Sequence, residues 1–321
     1  MKMSHSPDES AGSGIVPALA RPRTALVIRN PVAGRRKLLR FQRAVTAMRE
    51  AGLVTTVVET GRAGDAIVLA REAAADIGVV VAAGGDGTIN EVVTGLQQRA
   101  AEVPSPGVIP LGVIPLGTAN VFALELGIPL DPAAAGRVVA GDARRHVWPG
   151  LVDGRAVIQM VGVGFDARVV DAVTAPFKAR WGKLAYVFQS LRLWWRFPAD
   201  RFTVRLPDGR TFTAGTVIAT KGRLYAGRFL LAPSADPGAA GFTLCLFPRA
   251  TRWNALKAMA ALPIGLLPRL GGLRMLPVTE AEIDCDGGSV PAQIDGDRGG
   301  TCPVSIRPGP CAIEVMVAGP G

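Results

Sequence analysis

A single carboxylate stands among glycines at the end of one apolar run of the chain. The run 79-VVVAAGG-85 is followed by Asp86 and Gly87, and a helical pattern begins directly after them. Glycine has no Cβ, so its backbone N–H groups can approach a phosphate closely. A bare carboxylate beside phosphates repels them unless a divalent cation or a proton-bearing substrate lies between the two. The segment therefore predicts a nucleotide site at which Mg²⁺ arrives together with the phosphates.

Two more polar, glycine-bearing segments follow apolar runs in the same way. They are 30-NPVAG-34 and 115-PLGTAN-120, and Thr60 ends a further run. In an open parallel sheet, ligands bind beyond the carboxyl ends of the strands. The three segments and Thr60 are therefore expected to meet at one edge of a sheet and to surround one ligand.

Thr88 and Glu91 have the Thr-x-x-Glu spacing of a capping box, which indicates the N-terminus of a helix. A helix N-terminus offers free N–H groups and a partial positive charge to an anion. The alternative for 84-GGDGT-88 alone is a tight strand-to-helix turn in which Asp86 is only a helix cap. Neither the Gly-x-x-x-x-Gly-Lys-Ser/Thr nor the Gly-x-Gly-x-x-Gly fingerprint occurs at these strand ends.

The elements that must position these residues change in character near Gly141. Before it, Val/Ile-rich runs alternate with helical stretches, which predicts a parallel sheet with helices on both faces. The runs are 24–30, 53–60, 77–84 and 107–117, and the helical stretches are 36–51, 64–75, 88–101, 118–126 and 131–141. After Gly141, hairpin turns are expected at Asp153-Gly154 and Asp208-Gly209. Short strands at 242–247, 281–285, 289–295 and 303–307, interrupted by helical stretches over 176–196 and 252–267, predict a mostly antiparallel β second half.

The composition narrows the range of partners. The 321-residue chain has a net charge of +10 and a pI of about 10.2, which favours an anionic partner. Aromatic residues make up only 6% and no nucleic-acid recognition motif is present, so no nucleic-acid partner is expected. Four cysteines without a Cys-x-x-Cys pair, and two histidines, argue against a zinc site.

No segment is predicted to span a membrane. The longest uncharged run, between Glu102 and Glu125, contains four prolines and is typical of strand and loop. Residues 1–22 are rich in Ser, Gly and Pro, and their apolar stretch 15-IVPALA-20 is too short for a secretory signal. The interpretation is a disordered tail on a cytoplasmic protein that contacts a bilayer only peripherally, at its inner face.

Six segments resemble one known family. They are 27-VIRNPVAG-34, 84-GGDGTINEVVTGL-96, 115-PLGTANVFALELGIP-129, 162-GVGFDARVV-170, 231-LAPSA-235 and 293-QIDGD-297. The chain resembles the diacylglycerol kinase catalytic domain family, which includes bacterial lipid kinases and the eukaryotic sphingosine and ceramide kinases. The resemblance extends from about residue 24 onward, and GGDGTxNE followed by PLGTxN is its most specific part.

The resemblance implies an α/β ATP-binding domain followed by a β-sandwich domain, with ATP and lipid meeting in the cleft between them. The domains would be a tail over 1–22, the α/β domain over 23–143, the sandwich over 144–307 and a last segment over 308–321 that returns to the first domain. The implied ATP contacts are Asn30, Pro31, Val32, Ala33, Gly34, Thr60, Gly84, Gly85, Asp86, Gly87, Thr88, Ile89, Asn90, Glu91 and Thr118.

The family's catalytic base is the acidic residue that closes a DGE motif, which here reads Asp295-Gly296-Asp297. By this match Asp297, aided by Asp295, would accept the proton of the lipid hydroxyl, and Asp86 would lie near the catalytic Mg²⁺. Asp297 is one methylene shorter than the family's Glu. The alternative for the segment is an ordinary Asp-Gly hairpin turn.

A second departure from the family lies after the LAP segment. Bacterial members often carry a metal-holding loop there with an Asp-Gly pair. In this chain 236-DPGAAGFTL-244 has Ala240 before Gly241, so that side-chain ligand is absent, and Asp236 is the carboxylate left to substitute for it.

Two segments are candidates for the lipid side. The stretch 177-FKARWGKLAYVFQSLRLWWRF-197 carries apolar residues at three- and four-residue spacing together with five basic residues and no acid. Such a pattern suits either an anionic membrane surface or a helix that packs its aromatic side chains into its own domain. The stretch 253-WNALKAMAALPIGLLPRLGGLRML-276 would either line an acyl-chain groove or form a core or interdomain helix.

The combined interpretation is an ATP-dependent lipid kinase that uses Mg²⁺. Its acceptor is left open among diacylglycerol, a sphingoid base or ceramide, and another hydroxyl lipid, and so is its oligomeric state, a dimer included. Two other classes compete with it. One is a kinase of a soluble substrate, such as an NAD kinase, which shares GGDG but not PLGTAN or QIDGD. The other is a non-catalytic protein that binds lipid or nucleotide.

Overall fold

The computed structural model describes most of the chain. The described residues are 15–17, 24–31, 35–102, 108–174, 177, 181–182, 184–195, 200–248, 251–286 and 288–319, with only the backbone at 15–17, 35 and 36. The helices are α1 Arg35–Glu50, α2 Asp65–Arg71, α3 Asp86–Glu102, α4 Val121–Glu125, α5 Pro132–Val139, α6 Phe165–Ala172, α7 Leu184–Trp195 and α8 Arg252–Ala261. A 3₁₀ turn follows at Leu267–Arg269.

Twenty-one strands form the sheets of the described residues. In the first part of the chain they are β1 Ile15–Pro17, β2 Thr24–Arg29, β3 Val54–Glu59, β4 Val79–Gly84, β5 Leu111–Pro115, β6 Ala143–Val147, β7 Gly150–Val152, β8 Arg155–Val157 and β9 Met160–Val163. The others are β10 Phe202–Arg205, β11 Thr211–Ala214, β12 Thr216–Thr220, β13 Leu224–Tyr225, β14 Phe229–Leu230, β15 Phe242–Phe247, β16 Arg274–Val278, β17 Ala281–Cys285, β18 Pro291–Ile294, β19 Asp297–Thr301, β20 Val304–Pro308 and β21 Ile313–Met316.

The first sheet has seven strands in the order β1-β6-β21-β5-β4-β2-β3. Strands β3, β2, β4, β5 and β21 run parallel to one another. At the other edge, β6 pairs antiparallel with β21, and β1 pairs antiparallel with β6. Every residue of β4 and of β5 is buried, as expected for parallel strands that are covered on both faces. Helices α1 and α5 pack against each other, as do α2 and α3.

The rest of the chain folds as a sandwich of two antiparallel six-stranded sheets. Their orders are β11-β10-β17-β20-β7-β8 and β16-β15-β12-β9-β18-β19. Apolar side chains from both sheets form one core, which includes Val163, Phe202, Val217, Leu244 and Ile306. Together the two domains confirm the predicted fold class, an α/β domain followed by an antiparallel β-sandwich.

Several predicted boundaries need correction. Helix α3 begins at Asp86, two residues before Thr88, so Thr88 lies inside the first turn and is not the cap of a capping box. The helix α6 was not predicted, because its residues were interpreted only as a family segment. The stretch 253–276 is not one apolar helix, since α8 ends at Ala261 and the segment continues through the 3₁₀ turn into β16.

The N-terminal end of the chain also differs from expectation. Ile15–Pro17 lies in the stretch predicted as a disordered tail but forms a strand against β6. The rest of 1–22 lies outside the described residues. Strand β21, near the end of the chain, lies between β5 and β6 of the first sheet. None of the helices that the structure describes has the length and apolar character needed to cross a bilayer.

Candidate active site

Gly85 and Gly117 bring the β4–α3 and β5–α4 loops into direct contact. A Cβ on Gly117 would lie 2.6 Å from the Cα of Gly85, and a Cβ on Gly85 would lie 3.3 Å from the Cα of Gly117. The Leu116 N–H also donates to the carbonyl of Gly84 at 2.8 Å. Because neither glycine has a side chain, the two loops form one continuous backbone surface at the carboxyl edge of the parallel sheet.

The first turn of α3 opens onto this surface. A Cβ on Gly84 would lie 2.4 Å from Oγ1 of Thr88, so the Thr88 side chain folds directly over Gly84. The Ile89 N–H donates to the carbonyl of Gly85 at 3.1 Å and closes the turn. The first N–H groups of a helix have no acceptor within the helix, and they are the groups that bind phosphate at helix N-termini.

Asp86 connects this turn to two other elements. Its Oδ1 accepts a hydrogen bond from the Phe122 N–H at 3.1 Å and another from Nε2 of Gln159 at 2.8 Å. Phe122 lies in the first turn of α4, so Asp86 caps α4 and not its own helix. Burial raises the pKa of the Asp86 carboxyl, and the backbone donor Phe122 opposes this rise.

The oxygen atoms at this edge fit a Mg²⁺ ion that arrives with a nucleotide. Asp86 supplies a carboxylate, and Oδ1 of Asn120 is buried without a hydrogen-bond partner in the described part of the chain. Carboxylate and amide oxygens suit hard cations, and Mg²⁺ is usually held by one or two carboxylates plus substrate phosphates. No cluster of three or more His, Cys, Asp or Glu side chains suited to a metal occurs among the described residues.

Asp295 lies between the two domains, and both of its carboxylate oxygens are engaged. Oδ1 accepts from the N–H groups of Gln159 at 2.8 Å and Met160 at 2.9 Å. Oδ2 accepts from the Ile158 N–H at 2.9 Å and from Nδ2 of Asn90 at 2.7 Å. Burial raises the pKa of Asp295 to about 6, and these donors oppose the rise. The proton-accepting aid expected of Asp295 does not fit this geometry, because four donors already occupy the carboxylate.

The side chain of Asn90, on α3, forms hydrogen bonds with residues of the sandwich domain. Besides its bond to Asp295, Nδ2 donates to the carbonyl of Ala156 at 2.6 Å, and Oδ1 accepts from Nε of Arg155 at 3.1 Å. The side chain is 1% exposed. The ATP contact expected of Asn90 therefore does not involve its side chain, which links the two domains instead.

Asp297 follows a two-residue hairpin turn made by Asp295 and Gly296. Their φ values are 52° and 82°, as a type I′ turn requires, and Ile294 pairs with Asp297 across it. The turn places Oδ2 of Asp297 3.1 Å from the position that a Cβ on Gly87 would occupy. The sandwich thus brings a carboxylate against the glycine-led first turn of α3.

A buried series of side chains holds this turn from the other side. Oε1 of Gln293 accepts from the Gly296 N–H at 2.8 Å, and its Nε2 donates to Oδ2 of Asp166 at 2.9 Å. The Tyr225 hydroxyl donates to Oδ1 of Asp166. Burial raises the pKa of Asp166 and that of Tyr225. Sequence analysis assigned these residues no role, and its one signal was that Asp166 and Gln293 fall in segments that carry the family resemblance.

The other predicted nucleotide contacts are distributed around the same edge. Asn30 is exposed and Pro31 is half-buried after β2, while Thr60 is buried at the end of β3. Thr118 is exposed in the β5–α4 loop. The remaining predicted contacts of the loop after β2, which are Val32, Ala33 and Gly34, lie outside the described residues.

Two predicted contacts on α3 have different exposure. Ile89 is fully buried in the core of the first domain, so only its backbone can face a ligand. Glu91 is half-buried two residues further along the helix.

Two family models match the chain in succession. The Diacylglycerol kinase catalytic domain matches residues 24–151. The YegS C-terminal NAD kinase beta sandwich-like domain matches residues 159–317. The first domain of the chain is therefore similar to the diacylglycerol kinase catalytic domain, and the second to the YegS C-terminal domain. The residues between the two matches, 152–158, run from the end of β7 through β8 to Ile158, one of the backbone donors that hold Asp295.

Two curated proteins have recognisable sequence similarity to part of the chain. A protein of Chromohalobacter salexigens named "Probable lipid kinase YegS-like" is 38% identical over 174 residues, 54% of this chain and 55% of its own length. A protein of Bacillus subtilis named "Diacylglycerol kinase" is 38% identical over 173 residues, 53% of this chain and 55% of its own length. The chain thus spans about half the length of the curated relatives it matches.

A solved structure shares the fold of the whole molecule. The crystal structure of a diacylglycerol kinase from Bacillus anthracis superposes with a TM-score of 0.73 at 21% identity, covering 93% of this chain and 98% of that one. The two proteins therefore share the fold of both domains.

An apolar surface lies on α7 and α8 of the sandwich domain. Its residues are more than half exposed, and they are Leu184, Val187, Phe188, Leu191, Trp195 and Trp253. Nε1 of Trp194 donates to the carbonyl of Arg252 at 2.9 Å and joins the two helices. The alternative that the stretch 177–197 packs its aromatic residues into the domain does not describe Phe188 and Trp195, which are more than half exposed. The basic residues Lys178, Arg180, Lys183 and Arg196 lie outside the described residues.

Proposed function

We propose that the protein is an ATP-dependent lipid kinase, which transfers the γ-phosphoryl group of ATP to a hydroxyl of a membrane lipid. The observation that carries the proposal is the position of Asp297 against Gly87. A carboxylate from one domain lies beside the helix N-terminus that would hold the phosphates in the other. Phosphoryl transfer needs mainly this kind of positioning, together with neutralisation of charge.

The nucleotide would lie along the carboxyl edge of the parallel sheet. The backbone N–H groups of 85–88 would hold its phosphates, and the loop after β2, Thr60 and Thr118 would surround the rest. Asp86 and Asn120 would hold Mg²⁺, which would offset the charge of the transferring group. The contact between Gly85 and Gly117 supports this proposal, because a side chain on Gly117 would push apart the two loops that line this edge.

Asp297 would act as the general base. It would accept the proton of the lipid hydroxyl as the oxygen forms its bond to the γ-phosphorus and the bond from that phosphorus to the leaving oxygen of ADP breaks. Asp295 and Gln293 would be positioning residues. The first fixes the turn through four hydrogen bonds, and the second through the Gly296 N–H.

The lipid would reach this cleft from a bilayer that the apolar surface on α7 and α8 contacts. Exposed Leu, Phe and Trp side chains insert among lipid headgroups, and basic residues near them add attraction to anionic lipids. Arg192 and Lys257 are exposed on the two helices. The net charge of +10 favours the same surface. We therefore propose peripheral association with the inner face of the membrane.

The names of the relatives support a lipid acceptor, since one is called a lipid kinase and another a diacylglycerol kinase. The description of the second domain as NAD kinase beta sandwich-like favours one other acceptor for testing, a dinucleotide. Both acceptors are alcohols and would use the same base, so substitution of that base does not distinguish them. An assay of which acceptor gains phosphate does.

The test is incubation of the purified chain with γ-labelled ATP, Mg²⁺ and separate acceptors. The panel contains diacylglycerol, a sphingoid base, ceramide and NAD, with lipids presented in mixed micelles. We expect label in one lipid, with transfer lost in Asp297→Asn and retained in Asp153→Asn, a control in another Asp-Gly hairpin turn. Label in NAD alone would replace the lipid kinase by the dinucleotide kinase. Binding of ATP without transfer to any acceptor would favour the non-catalytic alternative.

A further inference from the structure

The loop at which the family resemblance implies a bound metal contains a lysine side chain. The loop runs from Asp236 to Gly241, between the LAP segment and β15. Nζ of Lys221 donates to the carbonyl oxygens of Ala239 at 2.6 Å, Ala240 at 3.2 Å and Gly241 at 2.5 Å. Lys221 is 1% exposed, so this ammonium group lies inside the molecule.

The only carboxylate of this loop is that of Asp236. Ala240 has no side-chain oxygen, and Asp236 is engaged elsewhere: its Oδ1 accepts from Arg145 at 3.0 Å and from the Gly238 N–H at 2.9 Å. Hard divalent cations in proteins take several oxygen ligands, with carboxylates among them. Three carbonyls that already accept from an ammonium group do not make such a site, so the residues of this loop do not fit a bound metal.

The same three carbonyls fit an ammonium ion. A lysine ammonium has three N–H donors and no acceptor, and here each carbonyl takes one bond. The Phe242 ring lies 4.9 Å from Nζ and adds a cation–π contact. Burial lowers the pKa of Lys221 to about 7, whereas Asp236 favours the charged form. The backbone of Lys221 is itself fixed, since its N–H donates to the carbonyl of Gln159 at 2.7 Å.

The loop also joins the two domains. Arg145, the partner of Asp236, lies on β6 of the first sheet, and the Trp148 N–H donates to the carbonyl of Pro237 at 2.8 Å. The segment after Lys221 also contacts the first domain. Oε2 of Glu125 in the first domain accepts from the Leu224 N–H at 2.9 Å. A cation that holds the loop therefore holds part of the contact between the domains.

We propose that the ammonium group of Lys221 is the internal cation of the 236–241 loop, and that it makes this loop independent of divalent metal ions. The Mg²⁺ that accompanies a nucleotide would then be the only divalent ion that the described part of the protein requires. The proposal concerns the folding of the sandwich domain and does not depend on the proposed kinase activity.

The first test uses the full wild-type chain without nucleotide, at a pH below 7. Thermal unfolding is measured in EDTA and then with millimolar Mg²⁺, Ca²⁺ or Mn²⁺. We expect the same midpoint in all four solutions. Crystals grown with Mn²⁺ show by anomalous scattering where any ion binds, and we expect no peak among the carbonyls of 239–241. A manganese peak there, or a midpoint that falls in EDTA because of that site, would overturn the proposal.

The second test removes the lysine and supplies the missing carboxylate. Lys221→Met leaves the three carbonyls without their donor, and we expect it to lower the midpoint by several degrees. Lys257→Met is the matched control, since Lys257 is exposed on α8, and we expect it to leave the midpoint unchanged. Adding Ala240→Asp to Lys221→Met should create a divalent ion response that neither the wild type nor Ala240→Asp alone shows.

Each outcome of this second test is informative. A Lys221→Met chain as stable as the wild type would contradict the proposal, because the ammonium would then contribute nothing to the loop. A Lys221→Met chain that does not fold agrees with it, and the manganese crystals of the wild type still decide whether a metal occupies the loop.

Discussion

Asn90 on α3 and Asp295 in the β18–β19 turn connect the two domains by a buried hydrogen bond of 2.7 Å between Nδ2 and Oδ2. Asn90 lies one turn beyond the N-terminus expected to hold phosphates, and Asp295 lies two residues before Asp297. One bond thus joins the segment that would bind the nucleotide to the turn that carries the candidate base. The distance between the two is therefore fixed by the fold before any ligand binds.

Asp295→Asn tests this connection. The amide has one acceptor oxygen, so we expect about two of the four donors to lose their partner, at a cost of about 3 kcal/mol in the free energy of unfolding. Backbone strain does not contribute, since Asn adopts positive φ at least as readily as Asp. Urea denaturation measures the loss. Asp153→Asn, at the exposed first position of another Asp-Gly turn with φ 48°, should change it by less than about 0.5 kcal/mol. Equal small effects of both substitutions would show that Asp295 does not hold the domains.

Asp297→Asn should reduce lipid phosphorylation by about 100- to 10,000-fold, the range of general base catalysis. The amide keeps the shape of the side chain but cannot accept the hydroxyl proton. Asp297→Glu should retain much more activity, because it keeps the carboxylate. Initial rates at saturating ATP measure both variants, with thermal midpoints to confirm folding. An Asp297→Asn chain with the wild-type rate would remove Asp297 from the mechanism.

Gly117→Ala should weaken ATP binding by at least about tenfold, which corresponds to about 1.4 kcal/mol. The new Cβ would lie 2.6 Å from the Cα of Gly85, so the two loops would have to separate. Gly271→Ala is the control, because a Cβ there meets nothing within 4 Å. Fluorescence titration with a labelled ATP analogue measures the affinity. Unchanged affinity in Gly117→Ala would mean that the nucleotide does not bind at this pair of loops.

The double substitution Leu184→Asn and Phe188→Asn should lower binding to anionic vesicles by about tenfold or more. Each removes an exposed apolar side chain whose full burial is worth about 1.5–3 kcal/mol. Leu39→Asn with Val68→Asn is the matched control, since both residues are exposed on helices of the other domain. Cosedimentation with vesicles rich in phosphatidylglycerol measures the bound fraction. Equal losses in the two double variants would argue against the α7–α8 surface as the membrane contact.

The sequence was informative where a local pattern decides the structure. Continuous Val/Ile runs predicted the buried strands β4 and β5, and glycines after them predicted the loops at the sheet edge. Each of these features depends on residues that are neighbours in the chain. The same patterns placed the helix start two residues late, because Thr88 has the spacing of a capping box whereas Asp86 begins the helix and caps α4.

The sequence was uninformative where the partner lies far along the chain. Asn90 and Asp295 are 205 residues apart, and Gln293 and Asp166 are 127 apart. Nothing in a single sequence indicates that such polar residues will be buried together. Lys221 is a similar case, because its acceptors are backbone carbonyls, which every residue type carries and no motif records.

A crystal structure of the chain with Mg²⁺ and a non-hydrolysable ATP analogue tests the central claim most directly. We expect the phosphates at the N–H groups of 85–88, with Mg²⁺ beside Asp86 and the γ-phosphorus facing Asp297. A nucleotide bound elsewhere, or phosphates turned away from Asp297, would contradict the account.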